Sequence, residues 1–376
     1  MIKSRIKQTL GGVLSRVTQF CVRNWPNRTA AFLVNSRIYY KMRVWGGFSL
    51  SKMVAECFQN FLTEVERGDD ELKSYLTKDI VKSYLLYGVN PEEYFLHGFR
   101  NLSDVQRKTY LPKALKDQLV IKQIGEKSDK AFVELKDKYE FYKLAKPYFK
   151  RDACSLKSRN DYSAFKMFVE KHNRFIAKPI KGRYGSNTSI YNIADFNGGA
   201  EFIFEHLMGI TDEWIIEELI EQDARMAEWN PSSVNTIRVP SFRTKSGIQI
   251  LAPFIRMGRK GSVVDNAGSG GIYATLDAET GKICSVAMDE RGNVYETNPD
   301  NGKIFKDWQC PKWSELISIS KEVHKSLPEY HKYVGFDFAL STKGWVLVEG
   351  NWGDFICQQS SLGRGMKEEF VSLLNS

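Results

Sequence analysis

Several common sequence features are missing from this chain of 376 residues, and each absence excludes a class of protein. No uninterrupted apolar run reaches the roughly 18 residues that a transmembrane helix needs. The six cysteines include no CxxC pair, and the five histidines do not cluster at zinc-ligand spacing, which argues against a disulfide framework and a zinc site. Neither a GxSxG elbow nor a Cys-His signature is present, so the common routes to nucleophilic hydrolysis are not indicated.

Acidic residues are absent from residues 1–55, and Glu56 is the first. Ten Lys or Arg lie in this segment, which leaves 44 of the 54 basic groups against all 45 acidic ones in the rest of the chain. The formal charge of +9 therefore belongs to this segment, and we expect no nucleic-acid partner.

The basic segment also contains aromatic residues such as Trp25 and Phe32. A stretch of this composition can contact an anionic membrane surface or a membrane partner. A solvated helical face and a cleavable organellar presequence are the alternatives. We expect a cytoplasmic protein, and membrane contact through residues 1–55 would place it peripherally at the inner face.

The hydrophobic periodicity changes near residue 115. Before it, residues 49–66 and 70–87 have helical spacing, and Asn90-Pro91 and Ser103-Asp104 are typical helix starts. Beyond it, helical stretches alternate with short β-branched or aromatic runs. The predicted helices are 138–149, 160–171 and 196–207, and the predicted strands are 119–121, 174–177, 189–193, 213–216, 236–242 and 248–255. The sequence therefore predicts a mixed body of helices and strands behind a helical N-terminal region.

A lysine and two glycines follow one another after the strand predicted at 174–177. Lys178 ends that strand, and Gly182, Gly185 and Ser186 lie in the loop before the next one. Glycines let backbone N–H groups approach phosphate oxygens, and a lysine neutralises their charge, so the pattern favours a hairpin that folds over phosphates. A Walker-type loop would instead place the lysine after the glycines and open a helix. An ordinary hairpin turn is the alternative.

An acidic hinge follows the apolar strand that begins near Trp214. Its residues are Glu217, Glu218, Leu219, Ile220, Gln222 and Asp223. Such a segment can offer backbone groups to adenine and polar side chains to the ribose. A plain strand exit into a solvated turn is the alternative.

The most informative pattern is a predicted hairpin over residues 335–351. A four-residue turn with a bulge, or a five-residue connection, sets Asp337 across from Glu349. Asn351 lies two residues beyond Glu349 and so projects from the same face. Oxygen ligands of this kind suit Mg²⁺ that bridges nucleotide phosphates. A surface hairpin with incidental acids is the alternative.

Two arginines, Arg238 and Arg256, fall inside apolar strands. An unpaired guanidinium is costly there, so each needs an anionic partner, which is either a structural carboxylate or a transferring phosphoryl group. The glycine run after Asn266 could present N–H groups to an oxyanion.

In this order the motifs resemble the ATP-grasp superfamily over residues 119–362. The matching features are Asp137-Lys138 before a helix, Lys178 before a glycine hairpin, the Glu-rich hinge, a strand arginine and the Asp337…Glu349-x-Asn351 hairpin. Within the superfamily the chain is most similar to the sugar-transfer-associated group. The cues are residues 87–94, 232–238, Asp265-Asn266 with Gly270-Gly271, 299–302 and 358–363. Two departures are Gln222-Asp223, where the group often has Gln-His, and Asn298, where His is common.

The resemblance implies an α+β ATP-grasp fold in which two α+β subdomains clasp ATP. The expected divisions are 1–115 for the helical region, 116–215 for the subdomain with the lid, and 216–376 for the subdomain with the metal-binding hairpin. The implied ATP ligands are Lys138 and Lys178 for the phosphates, Gly182, Gly185 and Ser186 for the lid, Glu217, Glu218, Leu219 and Ile220 for adenine, and Gln222 or Asp223 for the ribose. The implied ligands of two Mg²⁺ ions are Asp337, Glu349 and Asn351, and Arg238, Arg256 and Asn266 would be catalytic.

The chemistry that this implies is ligation of a carboxylate to an amine through an acyl phosphate, with release of ADP and phosphate. The group's association suggests that an amino acid or similar unit is joined to a sugar acid, or its precursor, in surface-polysaccharide assembly. It also suggests a glycosyltransferase as a candidate partner of residues 1–55. A kinase that leaves the phosphate on a hydroxyl, and a non-catalytic nucleotide-binding module, are the alternatives.

Overall fold

The structure is a computed structural model, and it describes residues 20–44, 46–181, 187–211, 213–262, 265 and 270–376. The chain divides into two compact units. Unit 1 comprises Met1–Gln118 with Gly363–Lys367, and unit 2 comprises Leu119–Leu362 with Glu368–Ser376. Among the described helices, none is both long and apolar enough to cross a membrane.

The secondary-structure elements are labelled in chain order. The α-helices are α1 (Pro26–Asn35), α2 (Leu50–Phe61), α3 (Glu64–Gly68), α4 (Asp70–Tyr87), α5 (Pro91–Leu96), α6 (Asp104–Lys108), α7 (Lys113–Ile124), α8 (Ser128–Lys136), α9 (Lys138–Phe149), α10 (Tyr162–Lys171), α11 (Gly199–Ile210), α12 (Ala224–Ala227), α13 (Trp313–Ser326), α14 (Ile356–Leu362) and α15 (Lys367–Asn375). The strands are β1 (Ala153–Leu156), β2 (Arg174–Pro179), β3 (Ser189–Asn192), β4 (Trp214–Glu218), β5 (Thr236–Thr244), β6 (Gly247–Ile250), β7 (Phe254–Met257), β8 (Ile272–Thr275), β9 (Ala287–Asp289), β10 (Val294–Tyr295), β11 (Tyr333–Ser341) and β12 (Gly344–Asn351).

Unit 1 is helical, as its periodicity predicts, and its helix starts are fixed by side-chain caps. Asn90 and Glu93 form a capping box at the start of α5, and Ser103 and Gln106 form another at the start of α6. In each box the first side chain accepts from the backbone N–H of the second residue, and the second side chain accepts from the backbone N–H of the first. Each box therefore satisfies two backbone N–H groups at the helix start. Both helix starts predicted from the sequence are confirmed.

A buried ion pair also holds unit 1 together. The Arg107 guanidinium donates to both carboxylate oxygens of Asp79 at 2.8 and 2.7 Å, and its Nε donates to the Phe99 carbonyl. Tyr94 donates to the same Asp79 carboxylate at 2.6 Å. Asp79 on α4 is therefore the common anchor of α5, α6 and the residues between them.

Unit 2 contains two sheets in which every strand pair is antiparallel. The small sheet has the order β1-β4-β2-β3. The large sheet has the order β10-β9-β8-β7-β5-β11-β12, with β6 paired to β5. Antiparallel sheets combined with helices confirm the α+β class. The boundary expected between residues 215 and 216 falls inside β4, the whole length of which belongs to the small sheet.

One strand prediction is wrong, and another is confirmed only in part. Residues 119–121 belong to α7, because Leu115, Leu119 and Val120 continue a helical period that begins after Pro112 and is longer than the three-residue apolar run. The run 248–255 is interrupted between β6 and β7, where Ala252 adopts a left-handed φ of 46°. A three-residue apolar run is too short to distinguish a strand from a helix, and a single positive φ at an alanine cannot be read from the sequence.

The buried pair in unit 1 generates a stability prediction. We expect Asp79→Asn to lower the free energy of unfolding by about 3 kcal/mol, because it leaves a buried guanidinium without its counter-charge. The matched control is Glu71→Gln, the same loss of charge at an exposed position of α4, for which we expect no change. Urea denaturation followed by circular dichroism measures both. Equal midpoints for Asp79→Asn and the parent chain would contradict the assignment.

Candidate functional site

The β11–β12 hairpin has the register that its sequence predicts. Asp337 pairs with Glu349, and Gly335 pairs with Asn351. The register shifts between Asp337 and Phe338, so that Val348 is the extra residue on β12. The hairpin therefore combines a four-residue turn with a bulge, and the bulge is what brings the two carboxylate-bearing positions opposite each other.

Asp337 is completely buried and lies between two arginines. Arg238 holds the carboxylate through Nε and through Nη2 at 2.8 Å, and Arg256 Nη2 donates to Oδ2 at 2.7 Å. Burial alone would raise the pKa of Asp337, but the two guanidinium groups hold it below its usual value. The strand arginines thus have a structural carboxylate as their partner, which is one of the two options that the sequence left open.

The contacts of Asn351 show how the hairpin could hold a cation. Its Nδ2 lies 3.2 Å from Oδ2 of Asp337 and 3.1 Å from Oε1 of Glu349. A partly positive amide group between two carboxylates occupies the position that favours a metal ion, and rotation of the amide would present its oxygen there instead. Two carboxylates and one amide are hard oxygen donors, so this set fits Mg²⁺. Of the two carboxylates, Glu349 is the partly exposed one.

A second carboxylate positions Arg256 from the other side. Thr236 donates its N–H and hydroxyl to Oδ2 of Asp265 at 3.0 and 2.5 Å. The Arg256 Nε and Nη2 in turn donate to the Thr236 hydroxyl at 3.1 and 2.9 Å. The guanidinium of Arg256 is therefore fixed between Asp337 and the Thr236–Asp265 pair.

Lys138 and Lys178 belong to the same electrostatic environment as Glu349. Lys138 is the first residue of α9, whose N-cap is Asp137, and its ammonium donates to the carbonyls of Pro179 and Ile180. Burial lowers the pKa of Lys138, the Glu349 carboxylate opposes this shift, and the Lys178 ammonium adds to it. Lys138, one of the two lysines predicted to bind phosphate, is thus within electrostatic range of both the other lysine and the candidate metal ligand Glu349.

Gly350 explains how α9 approaches the hairpin so closely. A Cβ at this position would lie 2.4–2.8 Å from the ring of Phe141, which is three residues after Lys138. The helix therefore packs directly on the backbone between Glu349 and Asn351. A side chain at residue 350 would move α9 and the ammonium that it carries.

Arg151 is a residue of the site that sequence reasoning missed. The Glu217 carboxylate is buried between the Lys178 ammonium at 2.6 Å and Arg151 Nη2 at 2.5 Å. Arg151 Nη1 also donates to the Leu347 carbonyl at 2.5 Å, beside the bulge in β12. Arg151 therefore connects the small sheet to the strand that carries Glu349. Within Lys150-Arg151-Asp152 it looks like part of a solvated charge run, so the sequence gives no signal of its burial.

Some hinge residues lie outside any strand, and others have side chains that contact the rest of the protein. Leu219 and Ile220 follow β4 outside any strand. Gln222 uses both ends of its amide on Asn230, Ser233 and Asn235. Asp223 caps α12 and forms a bidentate pair with Arg225.

These contacts bear on adenine and ribose binding. The Glu217 side chain is committed to Lys178 and Arg151, and the Glu218 side chain accepts from the backbone N–H of Asp152 at 3.2 Å. If adenine binds at the hinge as predicted, its contacts would therefore fall to the backbone. A ribose would have to compete with internal partners at Gln222 or Asp223, so that assignment stays a prediction.

Four predicted site residues lie outside the described part of the chain. They are Gly182, Gly185, Ser186 and Asn266. Their roles at the lid and at the oxyanion stay predictions.

Comparison with known proteins identifies a matching family. The sequence profile described as "Sugar-transfer associated ATP-grasp" matches residues 121–370. No curated protein matches this sequence.

Several solved structures are similar at low identity. D-alanyl-alanine synthetase A from Vibrio cholerae has 13% identity and a TM-score of 0.39, over 65% of this chain and 66% of the other. The ATP-grasp ligase PsnB, in complex with a minimal precursor, has 14% identity and a TM-score of 0.38, over 66% of this chain and 62% of the other. N5-carboxyaminoimidazole synthase from Aspergillus clavatus has 11% identity and a TM-score of 0.37, over 65% of this chain and 53% of the other. This chain thus spans less than two thirds of the length of each of these proteins.

The two carboxylates of the hairpin should differ in their effect on stability. We expect Asp337→Asn to cost about 3–5 kcal/mol of unfolding free energy, because two buried guanidinium groups lose their shared counter-charge. Glu349→Gln should cost less than about 1 kcal/mol, because Glu349 is partly exposed and an amide can keep its contact with Asn351. Chemical denaturation compares the two. Equal losses would contradict the assignment of the structural role to Asp337 and not to Glu349. Glu349→Gln would then also be too unstable to test metal binding.

Proposed function

The chain belongs to the sugar-transfer-associated ATP-grasp family, and from this premise we propose that it is an ATP-dependent carboxylate–amine ligase. Its fold is the α+β ATP-grasp fold, and a helical region precedes it in the sequence. The observation that carries the proposal is that Asn351 contacts Glu349, and that the Glu349 carboxylate and the Lys178 ammonium both act electrostatically on the Lys138 ammonium. Oxygen ligands beside two lysines are what a metal-bound triphosphate requires.

The residues divide the work of binding between charge neutralisation and metal binding. Lys138 and Lys178 would neutralise phosphate oxygens, and Arg238 and Arg256, although paired with Asp337, would add positive charge beside a transferring phosphoryl group. Of the three predicted ligands, Glu349 and Asn351 would hold Mg²⁺ directly, and Asp337, whose oxygens already accept from both arginines, would fix the hairpin that carries them. When bound, this ion neutralises the phosphates and orients the terminal one.

The proposed reaction needs no nucleophile from the protein. A substrate carboxylate attacks the γ-phosphorus of ATP, the bond to the β,γ-bridging oxygen breaks, and ADP leaves. The amine then attacks the acyl phosphate and displaces inorganic phosphate. Orientation of the reactants and neutralisation of charge account for catalysis, in agreement with a sequence that has no Ser-His or Cys-His site.

The substrate class is a finer proposal that is supported by the family description. We infer that the carboxylate is a sugar acid or its precursor, and that the amine is an amino acid or a similar unit, in surface-polysaccharide assembly. No described contact selects one member of either class.

The product ratio tests the reaction type. With Mg²⁺-ATP and a panel of uronic and amino acids, we expect phosphate release in a one-to-one ratio with amide formation. Hydroxylamine should trap a hydroxamate when the amine is omitted, because it attacks the acyl phosphate. Mass spectrometry of the products and a phosphate assay measure these quantities. Phosphate retained on a product hydroxyl would establish the kinase alternative instead.

Glu349→Gln is the matched variant for this assay. It should lower phosphate release by more than about 100-fold, since loss of a direct ligand should exceed the effect of losing an outer-shell partner. Glu170→Gln, at an exposed position of α10, should leave the rate unchanged. Full activity of Glu349→Gln would support a nucleotide site without a role for this carboxylate, and would contradict the proposal.

Arg151 generates a prediction about ATP affinity. Glu217 has two cationic partners, Arg151 and Lys178, and Arg151→Met removes the first of them. We expect the ammonium to be held there more tightly and the KM for ATP to rise about 10-fold, with a smaller change in kcat. Steady-state kinetics with ATP as the varied substrate measures the split.

A double variant distinguishes positioning from simple loss of stability. Arg151→Met with Glu217→Gln removes the buried carboxylate as well, so the Lys178 ammonium is released and the KM for ATP should recover at least in part. A defect caused by lost packing would persist or worsen in the double variant. Arg159→Lys, at an exposed ion pair with Glu205, is the control and should not change the KM.

A further inference from the structure

The first described part of unit 1 exposes several large apolar side chains. They are Phe20, Trp25, Phe32, Ile38, Tyr40 and Phe48. Trp25, Phe32 and Phe48 are 50%, 63% and 62% exposed. Single exposed apolar residues are ordinary, but here six lie within about thirty residues of the chain.

Helix α1 shows that this exposure has a definite direction. Ala30 is buried in the core of unit 1, and Leu33 and Val34 pack against that core. Phe32 lies four residues after Arg28, so the two side chains share the opposite, outer side of the helix. The ring of Trp25, just before α1, meets the ring of Phe20 edge-to-face at 5.8 Å. The outer side of the helix start is thus apolar and cationic together.

The cations of this part of the chain lack carboxylate partners among the described residues. Those in residues 20–55 are Arg23, Arg28, Arg37, Lys41, Arg43 and Lys52, and all of them are exposed. None forms an ion pair with a described residue. By contrast, Lys73 and Lys82 on α4 pair with Asp70 and Asp104. Because Glu56 is the first acid, no carboxylate from this segment can neutralise these charges.

We propose that this surface binds the headgroup region of an anionic lipid bilayer, so that unit 1 holds the protein peripherally on a membrane. Cations attract anionic headgroups, and Trp and Tyr favour the interface between water and hydrocarbon. The Phe side chains gain by leaving water for the acyl boundary. The charge decides the occupant, since a chain segment with cations, aromatic residues and no acids is complementary to an anionic apolar boundary. This inference does not depend on the proposed ligase activity.

Vesicle sedimentation with the full chain tests the proposal. The protein should sediment with vesicles of phosphatidylcholine mixed with phosphatidylglycerol, and bind vesicles of phosphatidylcholine alone at least about 10-fold more weakly. Binding to the mixed vesicles should fall as salt rises to about 0.5 M, because the interaction is screened.

Two double variants separate the apolar and charged contributions. Trp25→Ser with Phe32→Ser, and Arg28→Gln with Arg37→Gln, should each weaken binding to the mixed vesicles by about 10-fold or more. All of these positions are exposed, so circular dichroism should show unchanged folding.

The controls change the same residue types elsewhere. Phe202→Ser, at an aromatic residue that is 53% exposed, and Lys122→Gln with Lys127→Gln should leave binding unchanged. The proposal is overturned if the folded protein binds neither kind of vesicle, which would direct the surface to a protein partner. It is equally overturned if binding is indifferent to lipid charge or to the two double variants.

Discussion

The buried carboxylate of Asp337 is the constraint on which the site depends. It lies on β11, and its two guanidinium partners are Arg238 from the adjacent β5 and Arg256 from β7, the strand beyond β5. Two buried cations and one buried anion are tolerable only in the geometry that pairs them, because each ion has lost the solvation that water would give it. The register of three central strands is therefore linked to the position of the charges. A shift of one residue would leave a guanidinium facing the apolar core.

This constraint separates the two carboxylates of the hairpin by function. Asp337 has donors at both oxygens and no exposed surface, so it is the fixed floor of the site. Glu349 is partly open and has the amide of Asn351 beside it, so it is the group that can exchange partners. The glycine between these two residues lets Phe141 press α9 against the strand, which brings the Lys138 ammonium near Glu349. Rigid and exchangeable charges thus occupy adjacent positions on one hairpin.

Local chemistry explains which features the sequence could predict. The Asp337–Glu349 pairing follows from turn length and one bulge, and the caps at Asn90 and Ser103 follow from residue type and spacing. The need of the strand arginines for anionic partners follows from burial, but which partner each one has depends on the pairing of strands that are distant in the chain. Arg151 could not be found in the same way, because its partners lie 66 and 196 residues away. Its neighbours in sequence are charged, and only the tertiary structure buries it.

Arg151 also bears on how Lys178 could serve a phosphate. Glu217 is buried, so a lysine that was its only counter-ion could not turn to another anion without leaving a carboxylate uncompensated. With Arg151 at 2.5 Å from Glu217, that carboxylate keeps a partner when the Lys178 ammonium moves. Arg151 also contacts the β12 backbone beside the bulge, so the group that keeps Glu217 neutralised is fixed to the strand of Glu349. The freedom of Lys178 to serve a phosphate would therefore depend on Arg151, and the same arginine ties the small sheet to the hairpin where a metal would lie.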